Sequence, residues 1–239
     1  MMNYDIGIIG AGTAGAFAAY RLVEKHPSSK VILIDSGPPP GKRRGQCNGF
    51  MGCFPTGDGK LYSNDFEAVG KVVDGRRCRS ATGWVMDLFS SVDDMRPVKD
   101  TLPTAMIQKR IKAEGFEISS NPNYQWKQDS VHKLSRIFSE AFEDSKGIEY
   151  SFNNEVFRIS KSKDIFTINT QLGDFTCKKV IFCVGRSGWR WSTKVFRELG
   201  ICKDDNRFKI GARFEMSGQY LRDFNKSHMT ISKEDLIVG

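Results

Sequence analysis

Tyr4-Asp5-Ile6-Gly7-Ile8-Ile9-Gly10-Ala11-Gly12-Thr13-Ala14-Gly15, with Val31-Ile32-Leu33-Ile34-Asp35 beyond it, is the stretch whose reading decides the fold. An apolar strand runs into G-x-G-x-x-G, the glycines open a small-residue helix over 16–22, and a second apolar strand ends in an acid about 20 positions further on. In that order the parts read as a dinucleotide site on an α/β sheet.

Each part has a physical task. Gly10 permits the tight strand-to-helix turn, Gly12 lets the backbone approach a pyrophosphate, and Gly15 lets helix and strand pack closely, since a Cβ would collide at each. The pyrophosphate is expected on the free N–H groups of Thr13, Ala14 and their neighbours at the helix N-terminus. Asp35, with Ser36 beside it, is expected to accept hydrogen bonds from the ribose hydroxyls, and its charge disfavours a 2′-phosphate.

Working outward, 239 residues are enough to bury a proper core as one large or two modest domains. No apolar run reaches the roughly 18 residues of a membrane span. The apolar stretch 6–22 follows Asp5 with no Lys or Arg before it, the wrong charge for a signal peptide, so a cytoplasmic protein is expected. The six cysteines form no C-x-x-C and the three histidines are scattered, which suggests neither a zinc site nor a disulfide framework. Cys47 and Cys53 share a Gly-rich loop and could form a redox pair, although burial is the common state of free cysteine. A net charge of +8 suits anionic partners, a nucleotide among them. The basic clusters are dispersed and no nucleic-acid motif accompanies them, so nucleic acid is not expected as a partner.

After the second strand, Ser36-Gly37-Pro38-Pro39-Pro40-Gly41 can form neither helix nor central strand. It leads into a Gly-rich loop over 45–61, long enough to suggest binding and, with Phe50, Met51, Phe54 and Leu61, too apolar for a disordered connector. Helices are expected over 66–73, 85–92 and 104–114. A stronger one is expected over 129–144, where Val131, Leu134, Phe138, Ala141 and Phe142 recur at helical spacing. Alternating strands follow over 155–160, 165–170 and 173–177. A near-continuous apolar run over 179–184 then suits a central parallel strand, and it ends at Gly185-Arg186-Ser187-Gly188 before a helix at 192–199. One more strand is expected over 208–215.

A nucleotide-binding βαβ unit, a β-meander, and then a strand ending Val184-Gly185-Arg186-Ser187-Gly188 resemble the two-dinucleotide-binding flavoproteins related to glutathione reductase. Their strand ends Ala-Thr-Gly, whereas Cys183-Val184-Gly185 keeps only the glycine. Gly57-Asp58-Gly59-Lys60-Leu61 resembles the Ser-Asp-Gly-Lys-Leu loop of poorly characterised FAD-dependent dehydrogenases. Phe208-Lys209-Ile210-Gly211-Ala212-Arg213-Phe214-Glu215 resembles their Ile-Gly-x-Arg-x-Glu strand. The resemblance implies a Rossmann-like FAD-binding domain with a parallel sheet and a β-meander, formed by 1–62 and 126–205. The resemblance leaves the middle of the chain uncovered, where a helical insertion is expected over 63–125, and 206–239 is expected to be the start of a substrate region or a truncated remainder. Such proteins close the flavin site with a C-terminal Gly-Asp segment, and nothing after Glu215 looks like it. A fragment, half of a split enzyme or a shortened relative would each fit.

By resemblance, Gly10, Gly12, Thr13, Ala14 and Gly15 hold the FAD pyrophosphate, with Asp35 and Ser36 on the adenosine ribose. Lys42, Arg43 and Arg44 are candidates to neutralise the diphosphate or else form a solvated basic turn. Val156 matches the family position whose backbone meets adenine, and Gly185 and Arg186 should lie near the cofactor. Gly52 would let the backbone approach the flavin ring, where Lys60 could stabilise negative charge, unless it is one of many solvated lysines. The flavin would carry the chemistry, and no residue pattern nominates a catalytic acid, base or nucleophile. The expected activity is an FAD-dependent oxidoreductase acting on a small organic substrate, with NAD(P)H a possible donor. An NAD-dependent dehydrogenase is the alternative, and so is a non-catalytic FAD-binding half whose flavin site a partner chain completes.

Overall fold

The computed structural model describes residues 2–42, 47–57, 59–62, 73–98, 102–120, 123–201, 217–219, 222 and 229–232. In chain order its elements are β1 (Met2–Ile9), α1 (Thr13–Lys25), β2 (Val31–Ile34), β3 (Lys60–Leu61), α2 (Gly75–Val92), β4 (Arg96–Val98), α3 (Ala105–Ala113), β5 (Glu117–Ser120), β6 (Asn123–Gln125), α4 (Gln128–Asp144), β7 (Ile148–Ser151), β8 (Val156–Ser162), β9 (Ile165–Thr170), β10 (Gly173–Phe182), α5 (Trp189–Glu198) and β11 (Met229–Ser232). They divide into two compact units, Met1–Gly57 with Val131–Asn206 and Asp58–Ser130 with Arg207–Gly239. The fold is mixed α/β.

The first unit is built on a six-stranded sheet in the order β7-β2-β1-β10-β9-β8. The strands from β7 to β10 run parallel, and β9 and β8 continue antiparallel as the meander. Every residue of β2 is buried, as a strand covered on both faces requires. Above the sheet α1 turns Gly15, Ala16 and Ala19 inward, and these small side chains let its axis lie close. On α4, Val131, Leu134, Phe138 and Phe142 form the buried stripe. Tyr20 of α1 stacks flat on Phe138 at 4.2 Å between ring centroids.

Two expected strands, 173–177 and the run from 179, are one element. β10 is antiparallel to β9 at its start and parallel to β1 along nearly all its length. Lys178 does not interrupt it, because its ammonium reaches out of the sheet to Asp5 of β1 at 2.7 Å. That hydrogen bond and ion pair hold the exposed Asp5 carboxyl below its usual range.

The second unit differs from the helical insertion expected over 63–125. It contains helices α2 and α3, but also a three-stranded sheet in the order β3-β6-β4 and the pair β5-β11. Expected helix 85–92 is the second half of α2, which starts earlier because the Asp74 carboxylate accepts the N–H groups of Arg76 and Arg77. Phe89 packs on Trp126, whose indole N–H donates to the Asp93 carbonyl. The helix expected over 66–73 lies outside the described residues except for Val73, and so does the strand expected over 208–215. Among the described residues no helix is long and apolar enough to cross a membrane.

Candidate nucleotide cradle

The turns that follow β1 and β10 lie side by side. Cys183 N–H donates to the Ile9 carbonyl at 2.7 Å, and Gly10 N–H donates across the other side to Ile34 at 2.8 Å. The chain leaves β1 toward β2 on one side, while β10 occupies the other, so the carboxyl ends of these strands form the crevice where open α/β sheets take ligands.

The three fingerprint glycines are required for different reasons. Gly10 has φ +98°, and a Cβ on it would overlap the Cys183 carbonyl. A Cβ on Gly15 would overlap the Gly10 carbonyl oxygen. Around Gly12, in contrast, nothing among the described residues lies within 4 Å of where a Cβ would be, and none of them demands glycine there. Gly12 is also the N-cap of α1, which has no side-chain cap and no acid in its first turn. The leading N–H groups of α1 therefore face this open space with the positive end of the helix dipole behind them.

The loop 47–57 walls the cradle. Met51 N–H donates to the Ala11 carbonyl at 2.7 Å, and the Thr13 hydroxyl donates to the Met51 carbonyl at 3.1 Å. Gly52, at φ +53°, comes so near that a Cβ on it would lie 3.4 Å from Gly12 Cα and 3.6 Å from Thr13 N. Phe50 and Met51 are buried, which explains the apolar character of a segment that looks like a connector. Its glycines also serve packing: a Cβ on Gly37 would overlap Gly49 N, and one on Gly49 would overlap the Pro38 carbonyl.

Asp35 has a structural task beside the one expected of it. Its two oxygens accept the N–H groups of Ala11 and Gly37, each at 2.7 Å, so the carboxylate pins the fingerprint turn to the bend after β2. Each oxygen keeps a lone pair for a further donor. Ser36 beside it is exposed, as are Thr13 and Ala14. The Val156 side chain is buried in the sheet's core cluster, leaving its backbone at the start of β8. Gly185, at φ +63°, and Arg186 are exposed in the turn beyond β10. Lys42 is exposed on the Pro-rich turn; Arg43 and Arg44 lie outside the described residues. Lys60 belongs to the second unit, paired with Gln125 across β3 and β6.

Cys47 and Cys53 are exposed and not in a disulfide, contrary to the usual burial of thiols, because their loop turns Phe50 and Met51 inward instead. Cys183, beside Gly10 and Gly15, is half-buried, and burial pushes its thiol up. Among the described residues no cluster of His, Cys, Asp and Glu could hold a metal ion. Sequence reasoning missed Ala11 and Met51, whose backbone groups join turn to loop. The glycines flanking Phe50-Met51 were the available signal.

No known family profile matches the chain, and no curated protein does either. Solved structures do. Glycine oxidase from Geobacillus kaustophilus superposes with a TM-score of 0.52 at 14% identity, over 84% of this chain and 59% of that one. NikD, an unusual amino acid oxidase essential for nikkomycin biosynthesis, gives 0.46 at 10% identity over 84% and 55%. The L-amino acid deaminase from Proteus vulgaris gives 0.43 at 14% over 84% and 51%. The chain thus spans between half and three-fifths of the length of these proteins. The likeness to the glycine oxidase shows a shared fold, consistent with a Rossmann-like sheet.

Proposed function

We propose that this chain is an FAD-dependent oxidoreductase whose crevice at the ends of β1 and β10 holds the pyrophosphate of the cofactor. The observation that carries this reading is Gly12: an uncapped helix N-terminus opening on a space that a side chain would fill, walled by Gly52. The leading N–H groups of α1 bind the diphosphate, and Asp35 turns its remaining lone pairs to the ribose. The Met51 and Thr13 hydrogen bonds hold the wall in place. FAD supplies two-electron redox chemistry when bound, which the side chains of this site do not provide. The antiparallel meander β8-β9-β10, where a nicotinamide-binding domain would continue its βαβ series, supports flavin over NAD as the nucleotide at this turn. The fold shared with a glycine oxidase supports the same reading.

In this reading the substrate is a small organic molecule, a reduced nicotinamide nucleotide is the electron donor, and the protein works in the cytoplasm. A partner chain or further segment completes the ring end of the flavin site. Denaturing the purified protein and identifying the released nucleotide tests the central claim, with FAD expected. Recovery of NAD, or of FMN alone, overturns it.

A further inference from the structure

On the first unit the loop after β2 and the helix α4 border a cavity of about 500 Å³ that is open to solvent and within the range of small-molecule sites. None of the cradle residues Gly10, Gly12, Thr13 or Gly15 lines it. Its lining has two kinds of group. Pro40, Pro55 and the ring of Phe50 are flat and apolar, and Phe50, only 3% exposed, is held edge-on by Phe142 and Phe152. His132, Arg136 and Ser139 lie on one face of α4 at helical spacing and supply polar hydrogens.

Those three side chains have no protein partner among the described residues; His132 and Arg136 are exposed at the open side and Ser139 is half-buried. The other lining hydroxyls do: Ser135 donates to the Val131 carbonyl and Thr56 to the Cys53 carbonyl. Arg136 makes no ion pair with Glu140, one turn further along the helix, although Lys194 and Glu198 at the same spacing on α5 do pair. A guanidinium is donor-only and forks onto a planar carboxylate. The ligand that satisfies this lining presents acceptors and negative charge at one end and a flat apolar body at the other.

We propose that this cavity is a binding site for a monocarboxylate carrying a flat, aromatic-sized apolar body, with Arg136, His132 and Ser139 on the carboxylate and Phe50, Pro40 and Pro55 against the ring. The site is separate from the nucleotide cradle but shares a loop with it, since Phe50 lines the cavity and its neighbours Met51 and Gly52 wall the cradle.

The test is a calorimetric titration of the whole chain with 2-naphthylacetate, run without added nucleotide so that it reads the cavity whatever the cradle binds. A dissociation constant of about 1 mM is expected for a ligand of this size at ordinary efficiency. Arg136→Gln should weaken it at least tenfold, as should replacing the acid by 2-naphthaleneethanol, because each removes one side of a charge-assisted pair. Lys133→Gln removes the same charge next to the cavity without lining it, and should leave affinity unchanged. Equal binding of acid and alcohol, equal loss in Lys133→Gln and Arg136→Gln, or no heat at 20-fold above the expected constant would each overturn the proposal. Thermal unfolding of both variants verifies that they are folded.

Discussion

The turns after β1 and β10 sit side by side at the same end of the sheet, and both contain a glycine with positive φ, yet they are built differently. At Gly10 the conformation and the packing both forbid a side chain, because the Cys183 carbonyl occupies the space. At Gly185 only the sign of φ does, with nothing among the described residues within 4 Å of a Cβ. One turn is a packed joint between neighbouring strands, and the other is a free rim. Gly12 belongs to neither class: its φ is an ordinary −61°, and nothing among the described residues lies within 4 Å of a Cβ there. Packing explains Gly10 and φ explains Gly185, whereas Gly12 has neither reason, and its place at the head of α1 is what points to a ligand.

Substitution separates these classes. Gly15→Ala and Gly10→Ala drive a Cβ into backbone that cannot retreat, and should each cost at least about 3 kcal/mol, read as a fall in denaturant midpoint at unchanged slope. Losses below about 1 kcal/mol would mean the joint is slack. Gly12→Val should leave stability within about 1 kcal/mol while weakening FAD at least about a hundredfold, a difference of roughly 2.7 kcal/mol in binding. Titration of the refolded apoprotein gives the answer, and unchanged affinity would place the nucleotide elsewhere. Gly185→Ala should cost only the left-handed backbone term, about 1 kcal/mol.

Thiol reactivity sharpens the same contrast most gently. Cys47 and Cys53 are exposed, whereas burial pushes the Cys183 thiol up and holds Cys177, under the sheet, at about 11. Only the thiolate attacks, so at pH 8 iodoacetamide should label the loop pair at least about tenfold faster than Cys177 and Cys183. Those two should gain rate as pH rises toward 11. Peptide mass mapping over time reads both rates, and fast labelling of Cys183 would contradict a closed joint.

Much of the first unit was legible because its strands and helices are long enough to show a period. β1, β2 and the stripe Val131-Leu134-Phe138-Phe142 are unmistakable apolar patterns. β10 was split in the reading because Lys178 and Lys179 look like a break, and only the cross-strand Asp5 shows that a charge can leave a central strand sideways. The second unit hid its sheets. β3, β4 and β6 have two or three residues each, too few for alternation, and β5 is mostly exposed. In the cradle the glycines and Asp35 were readable by type. The attachment of the wall through Ala11 and Met51 was not, since backbone hydrogen bonds leave no mark on side-chain identity.

Met51 limits which residues this site can accept in the course of divergence. It is fully buried at φ +62°, a conformation in which most side chains lose about 1 kcal/mol or more. Glycine would relieve that loss but forfeit burial of the thioether side chain, roughly 1.5 to 3 kcal/mol. Valine or isoleucine would keep the burial and suffer most from the backbone. Asparagine tolerates the backbone and would carry an amide into a dry space. An unbranched apolar side chain is what remains, so position 51 should drift between methionine and leucine while the exposed thiols on either side of it vary freely.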